Sequence, residues 1–161
     1  MMVAVKVAGV LMDPRTNSPV VVLQETDGER VLPIFIGPAE AAAIAMALEK
    51  QEPARPMTLD LAKMMLDTLG AKVLRVIVSE LKDDTFLASL VVERDKQVYS
   101  FDARPSDSIG LALRFNTEIL VADEVMKAAG QVPELDEESR LKEMRNRLRG
   151  VNPEEMGNSS I

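Results

Sequence analysis

Two stretches of this chain repeat a pattern suited to holding an anion: Arg55-Pro56-Met57-Thr58-Leu59-Asp60 and Arg104-Pro105-Ser106-Asp107. In each, an Arg precedes a Pro, a hydroxyl residue follows, and an acid falls in or near the first turn of an expected helix. A helix start presents unpaired N–H groups, and a guanidinium beside it adds a charged fork that fits phosphate or carboxylate oxygens. Arg55, Thr58, Arg104 and Ser106 are therefore the candidate anion contacts. The same residue types also serve as plain helix caps, with the Arg pairing the acid, and that reading stands beside the first.

What the chain lacks narrows the chemistry further. With no His and no Cys among its 161 residues, it can build no Ser-His-Asp triad, thiolate nucleophile or His- or Cys-ligated metal site. Hydrolysis would have to run on carboxylates, with a hard oxygen-loving cation, or on Lys, Arg, Ser, Thr or Tyr. The five aromatic residues, Phe35, Phe86, Tyr99, Phe101 and Phe115, fall mostly in strand-like stretches, which predicts core positions rather than a stacking platform. A net charge of −7, negative in every part of the chain, argues against duplex binding by charge alone. No signal-peptide core and no apolar run of ~20 residues is present, so a cytoplasmic protein without membrane contact is expected.

The elements that must position these residues follow from periodicity. Alternating Val3, Val5 and Val7 predict a first strand, Val20 to Gln24 a second, and Val31 to Ile36 a third, with Thr26-Asp27-Gly28 turning between the last two. Pro38 opens an Ala-rich helix to about Lys50, whose small side chains suit burial on more than one side. Thr58 is the expected cap of a second helix ending at Gly70, with Leu61, Met64, Met65 and Leu69 as its core stripe. Residues 72–81, 85–93 and 97–103 read as a meander, the first strand of it buried on both faces over its middle. Ser106 or Asp107 should cap a third helix to about Asn116, followed by a short strand and a short helix. This order predicts an α+β fold: a mixed, largely antiparallel sheet with helices packed on it. Residues 1–133 would form the domain, and 134–161 a C-terminal amphipathic helix and tail. The two strand–Pro–acid–helix segments around Glu40 and Asp107 also suggest an internal duplication, which would let these acids face one cleft.

Three segments, Leu32–Ala41, Arg55–Leu61 and Asp102–Ala112, resemble in this order the signature blocks of the bifunctional nuclease (BFN) domain family. Leu69-Gly70-Ala71-Lys72-Val73 and Val151-Asn152-Pro153-Glu154-Glu155 fit the same pattern, so the resemblance spans nearly the whole chain. It implies an α+β protein that hydrolyses phosphodiester bonds in DNA and RNA, with single-stranded DNA or RNA as partner, and a homo-oligomer, a dimer first. On that reading Glu40, Asp60, Asp102 and Asp107 would ligate Mg²⁺ or Mn²⁺. Asp60, Asp102, Arg104 and Asp107 would carry catalysis, Arg55 and Arg104 would hold the phosphate, and Thr58 and Ser106 would position it. The chain departs from the family at one point, where Thr-His-Asp is replaced by Thr58-Leu59-Asp60. If that His were the base or a metal ligand, activity here would be impaired. The competing expectation is a non-catalytic module that recognises a small anionic ligand or a partner protein, favoured by the missing His and the acidic balance.

Overall fold

A computed structural model of the protein describes residues 1–133 together with 138, 139, 141, 142, 144 and 145. Most of the expected C-terminal helix and tail over 134–161, including Val151–Glu155, lies outside the described residues; the six described within it are helical and exposed.

The chain runs β1 (Met2–Asp13), β2 (Ser18–Glu25), β3 (Val31–Phe35), α1 (Pro38–Leu48), α2 (Thr58–Thr68), β4 (Ala71–Lys82), β5 (Thr85–Arg94), β6 (Gln97–Ala103), α3 (Pro105–Phe115), β7 (Glu118–Ala122) and α4 (Asp123–Ala129). The strands form one seven-stranded sheet in the order β3-β2-β1-β7-β4-β5-β6. All neighbours are antiparallel except β4 and β7. The fold is thus the mixed, largely antiparallel α+β arrangement that the alternation of hairpins and helices dictates. Short turns enforce most of it. Asp83-Asp84 and Asp95-Lys96 have positive φ at both central positions, the twist that keeps two-residue hairpins tight.

The sheet order is symmetric about β7. A three-strand antiparallel meander followed by a helix lies on each side, β1-β2-β3-α1 and β4-β5-β6-α3. β7 inserts between them, pairing Val5 with Ile119 on one side and Val76 with Ile119 on the other. The repeated unit is therefore larger than the strand–Pro–acid–helix segment that hints at it in the sequence: three strands and a helix. Bulges at Val7/Gly9, Val73/Arg75 and Val78/Glu80 bend the strands. The sheet curls, so that the end of β3 and the segment just after β6, from opposite edges, line one cavity.

The core lies between the sheet and the helices, with Leu23, Leu32, Ile44, Val76, Val78, Ile109 and Val121 almost completely buried. Each such side chain contributes ~1.5–3 kcal/mol of burial. Several expectations are corrected here. β4 buries Val76 and Val78 but exposes Arg75 and leaves Ile77 half-buried, because only one face of the sheet is covered. α2 turns its other stripe inward: Leu59, Ala62 and Leu66 pack on the core, while Leu61, Met64, Met65 and Leu69 stay exposed. Both stripes are apolar, so periodicity alone could not choose between them. Phe35, Tyr99 and Phe101 are exposed at the sheet's edges rather than buried. Among the described residues no helix is long and apolar enough to cross a membrane.

Candidate functional site

α1 and α3 pack side by side, and their first turns are built alike. Pro38 and Pro105 each occupy the first helical position, where a missing N–H leaves no intrahelical bond unmade. Glu40 and Asp107 are then the third helical residues, close to the positive ends of their helix dipoles. Arg104, the N-cap of α3, joins them: it donates to both oxygens of Asp107, at 2.8 and 3.1 Å, and to Glu40 Oε1 at 3.1 Å. Neither Ser106 nor Asp107 is the cap; they are the second and third residues of the helix, since Pro105 forces Arg104 into extended backbone ahead of it.

Gly37 completes this corner. A Cβ at position 37 would collide with the Glu40 carboxylate, so glycine is what lets Glu40 fold back over the start of α1. The Glu40 carboxyl is held below its ordinary range, first by its own backbone N–H and then by Arg104. The paired carboxylates in turn raise the pKa of Arg104, Asp107 foremost. The Arg104 side chain is nonetheless 63% exposed. It stands in the wall of a cavity of about 450 Å³ that also takes in Ser18, Phe35, Gly37, Thr85, Phe86 and the buried Ser106. That volume is within the usual range for small-molecule sites.

The chain belongs to the bifunctional nuclease domain family. The sequence pattern of the bifunctional nuclease domain matches residues 21–134, which contain all of this corner. The chain is 41% identical over 137 residues to an uncharacterised protein of Mycobacterium tuberculosis, covering 84% of this chain and 82% of that one. It is 31% identical over 107 residues to bifunctional nuclease 1 of Arabidopsis thaliana and 30% identical over 107 to bifunctional nuclease 2 of Oryza sativa subsp. japonica. Each of these plant matches covers 64% of this chain but only 33% of the plant protein.

Within this bifunctional nuclease domain the residues singled out in the sequence fall into separate places. Glu40, Arg104, Ser106 and Asp107 share the corner just described. Asp60 belongs to a second cluster: its Oδ1 accepts from Arg114 Nε at 2.8 Å and its Oδ2 from the Met57 N–H at 3.0 Å. Arg114 also donates to the carbonyls of Gly110 and Ala43, so this pair ties α2, α3 and α1 together. Arg114 chiefly, with the Met57 N–H, holds the Asp60 carboxyl below its ordinary range. Met57 rather than Thr58 is the N-cap of α2, because Asp60 supplies the cap bond from within the helix; Thr58 and Arg55 are exposed. Asp102 is exposed on β6, opposite Ser89.

Leu59, where the family resemblance calls for His, packs against α3: a Cβ at Gly110 would strike its Cδ1. Position 59 is thus a helix–helix contact here and does not line the Arg104 cavity. Among the described residues no three acidic side chains gather as a ligand set for a metal ion. Glu40 and Asp107 are both paired with Arg104, Asp60 with Arg114, and Asp102 stands apart on β6, so the four carboxylates do not come together as one ligand set. Sequence reasoning missed Arg114 and the cavity residues Ser18, Phe35, Thr85 and Phe86. A Gly at position 110, one turn before Arg114, was the available signal of close helix packing.

Proposed function

We propose that the protein is a nuclease acting on single-stranded DNA or RNA at the Arg104 corner. The observation that carries this reading is an exposed guanidinium, fixed by two carboxylates at paired helix starts, in the wall of a nucleotide-sized cavity. The names of the plant relatives support the same direction. An incoming phosphodiester competes with Glu40 and Asp107 for Arg104, whose planar fork matches phosphate oxygens equally well. As Arg104 turns to the phosphate, a carboxylate is released beside it. That carboxylate accepts a proton from water as the water attacks phosphorus and the ester P–O bond breaks. The sugar oxygen departs with the electron pair of that bond and takes its proton from solvent water, while Arg104 offsets the charge gathering on the phosphoryl oxygens.

The test is cleavage of labelled single-stranded DNA and RNA by the purified chain, in Mg²⁺, in Mn²⁺ and in EDTA, beside Asp107→Asn. Asp107→Asn keeps the shape but weakens the hold on Arg104 and removes one base, so cleavage should fall at least tenfold. Loss of all cleavage in EDTA would show that the carboxylates do not act alone. The second reading, an anion-binding module without chemistry, is favoured by the engagement of both candidate bases, Glu40 and Asp107, with Arg104, which keeps N–H donors to spare for an anion. It predicts nucleotide binding that Arg104→Ala abolishes, with no cleavage under any of these conditions.

A further inference from the structure

We propose that the protein forms a two-fold dimer by pairing β6 with β6 of a second copy, extending the sheet across the interface. The two edges of the sheet differ in a way that points there. On β3, Val31 exchanges both backbone hydrogen bonds with Gln131, at 2.7 and 2.8 Å, and the next outward-facing position is Pro33, which has no N–H to offer. That edge is blunted. β6 carries no Pro, no Lys and no bulge, and its pairing with β5 is unbroken from Gln97 to Ala103. Such an edge is a template for another strand.

The sequence of β6 is self-complementary in the register that its geometry allows. The two-residue turn at Asp95-Lys96 makes Arg94 and Gln97 a hydrogen-bonded pair. Alternation then assigns the N–H and C=O groups of Val98, Ser100 and Asp102 to the open edge. A two-fold axis at Ser100 pairs Ser100 with its own copy and Val98 with Asp102 of the other chain. Every outward group is used, giving about six backbone hydrogen bonds. In the same register Tyr99 faces Phe101 of the second copy, twice, in the closer non-hydrogen-bonded pairs where aromatic side chains contribute most.

These rings are on the core side of the sheet, since Tyr99 and Phe101 lie opposite the buried Val92 and Leu90. In this chain they are 45% and 51% exposed, so pairing would cover apolar surface that is otherwise wet. The acids stay apart, because each Asp102 meets a Val. Arg104 follows two residues later, so each nuclease corner would open beside the seam.

The chain has no Cys, so Ser100→Cys supplies a single thiol. A short bis-maleimide should link this variant into a covalent dimer, whereas Leu11→Cys, exposed on β1, should give none. Sedimentation of the unmodified protein should show a monomer–dimer equilibrium in the micromolar range, as befits a small interface, tightening with salt because each chain carries −7. Ser100→Pro removes an N–H that β5 does not use, and Phe101→Lys places a charge at the ring pair. Each should weaken the dimer at least tenfold, with Phe101→Lys deciding the matter if Ser100→Pro fails to fold. A protein that stays monomeric at ~200 µM, well above the affinity of weak interfaces, would overturn the proposal. So would an oligomer that both variants leave intact, or one that cross-links equally through Leu11→Cys.

Discussion

Helix α3 carries an arginine–carboxylate cluster at each end, and the two differ mainly in their access to water. At its start Arg104 is 63% exposed and is held by side chains alone, Asp107 and Glu40. At its end Arg114 is 8% exposed and divides its donors between Asp60 and two backbone carbonyls. An exposed pair in high dielectric contributes little stability and can exchange its partner for a phosphate. A buried one cannot be opened without stranding a charge and two carbonyls. Each cluster is built on an Arg–Asp pair, so it is burial, with the backbone carbonyls it brings to Arg114, that separates an arginine open to solvent from one that clasps helices.

Replacing each arginine in turn should separate these roles. Arg104→Ala should lower cleavage by about 10²–10³, as for loss of a transition-state donor, yet leave the urea unfolding midpoint nearly unchanged. Arg114→Ala should do the reverse, costing about 3 kcal/mol in urea unfolding. A protein in which Arg104→Ala is the more destabilising would erase the distinction. Position 59 offers a smaller test. Leu59→His should cost about 1 kcal/mol by disturbing the contact with Gly110, without raising cleavage, because the ring would enter the helix seam rather than the Arg104 cavity. A gain in cleavage would mean that the seam opens to substrate.

The smallest effect expected is on acid stability. The folded Asp60 carboxyl lies below its unfolded value, mainly because Arg114 donates to it. Its contribution is therefore full above the ordinary Asp pKa of about 3.9 and is lost as pH falls through the depressed folded value. Urea midpoints measured from about pH 5 to about pH 3 should thus fall more steeply for the natural protein than for Asp60→Asn. Parallel curves would place no titrating link between α2 and α3.

Much of the architecture was legible in the sequence because it is local. Two-residue turns at Asp83-Asp84 and Asp95-Lys96, the Pro-opened helices α1 and α3, and the left-handed Asn116 that ends α3 each follow from adjacent residues. The insertion of β7 between β1 and β4 was not legible, since nothing near Ile119 in sequence names Val5 and Val76 as its neighbours. The same limit governs the site. Arg104 and Asp107 are three residues apart and could be paired by inspection, whereas Asp60 and Arg114 are fifty-four apart and meet only once three helices have packed. The choice of stripe on α2 belonged to that packing as well.

The central position of β7 bears on how the molecule is assembled in time. Each meander closes through near neighbours and can form early, but residues 2–5 must wait for residues 119–122, almost the whole chain later. Only when that strand arrives are the halves locked into one sheet, and only then can Phe35 of one half stand across the cavity from Arg104 of the other. In a refolding experiment β-structure should therefore appear first and cleavage or nucleotide binding last, with Val121→Ala lengthening the interval between them. The cleft is in this sense a clock for folding, assembled by its final step.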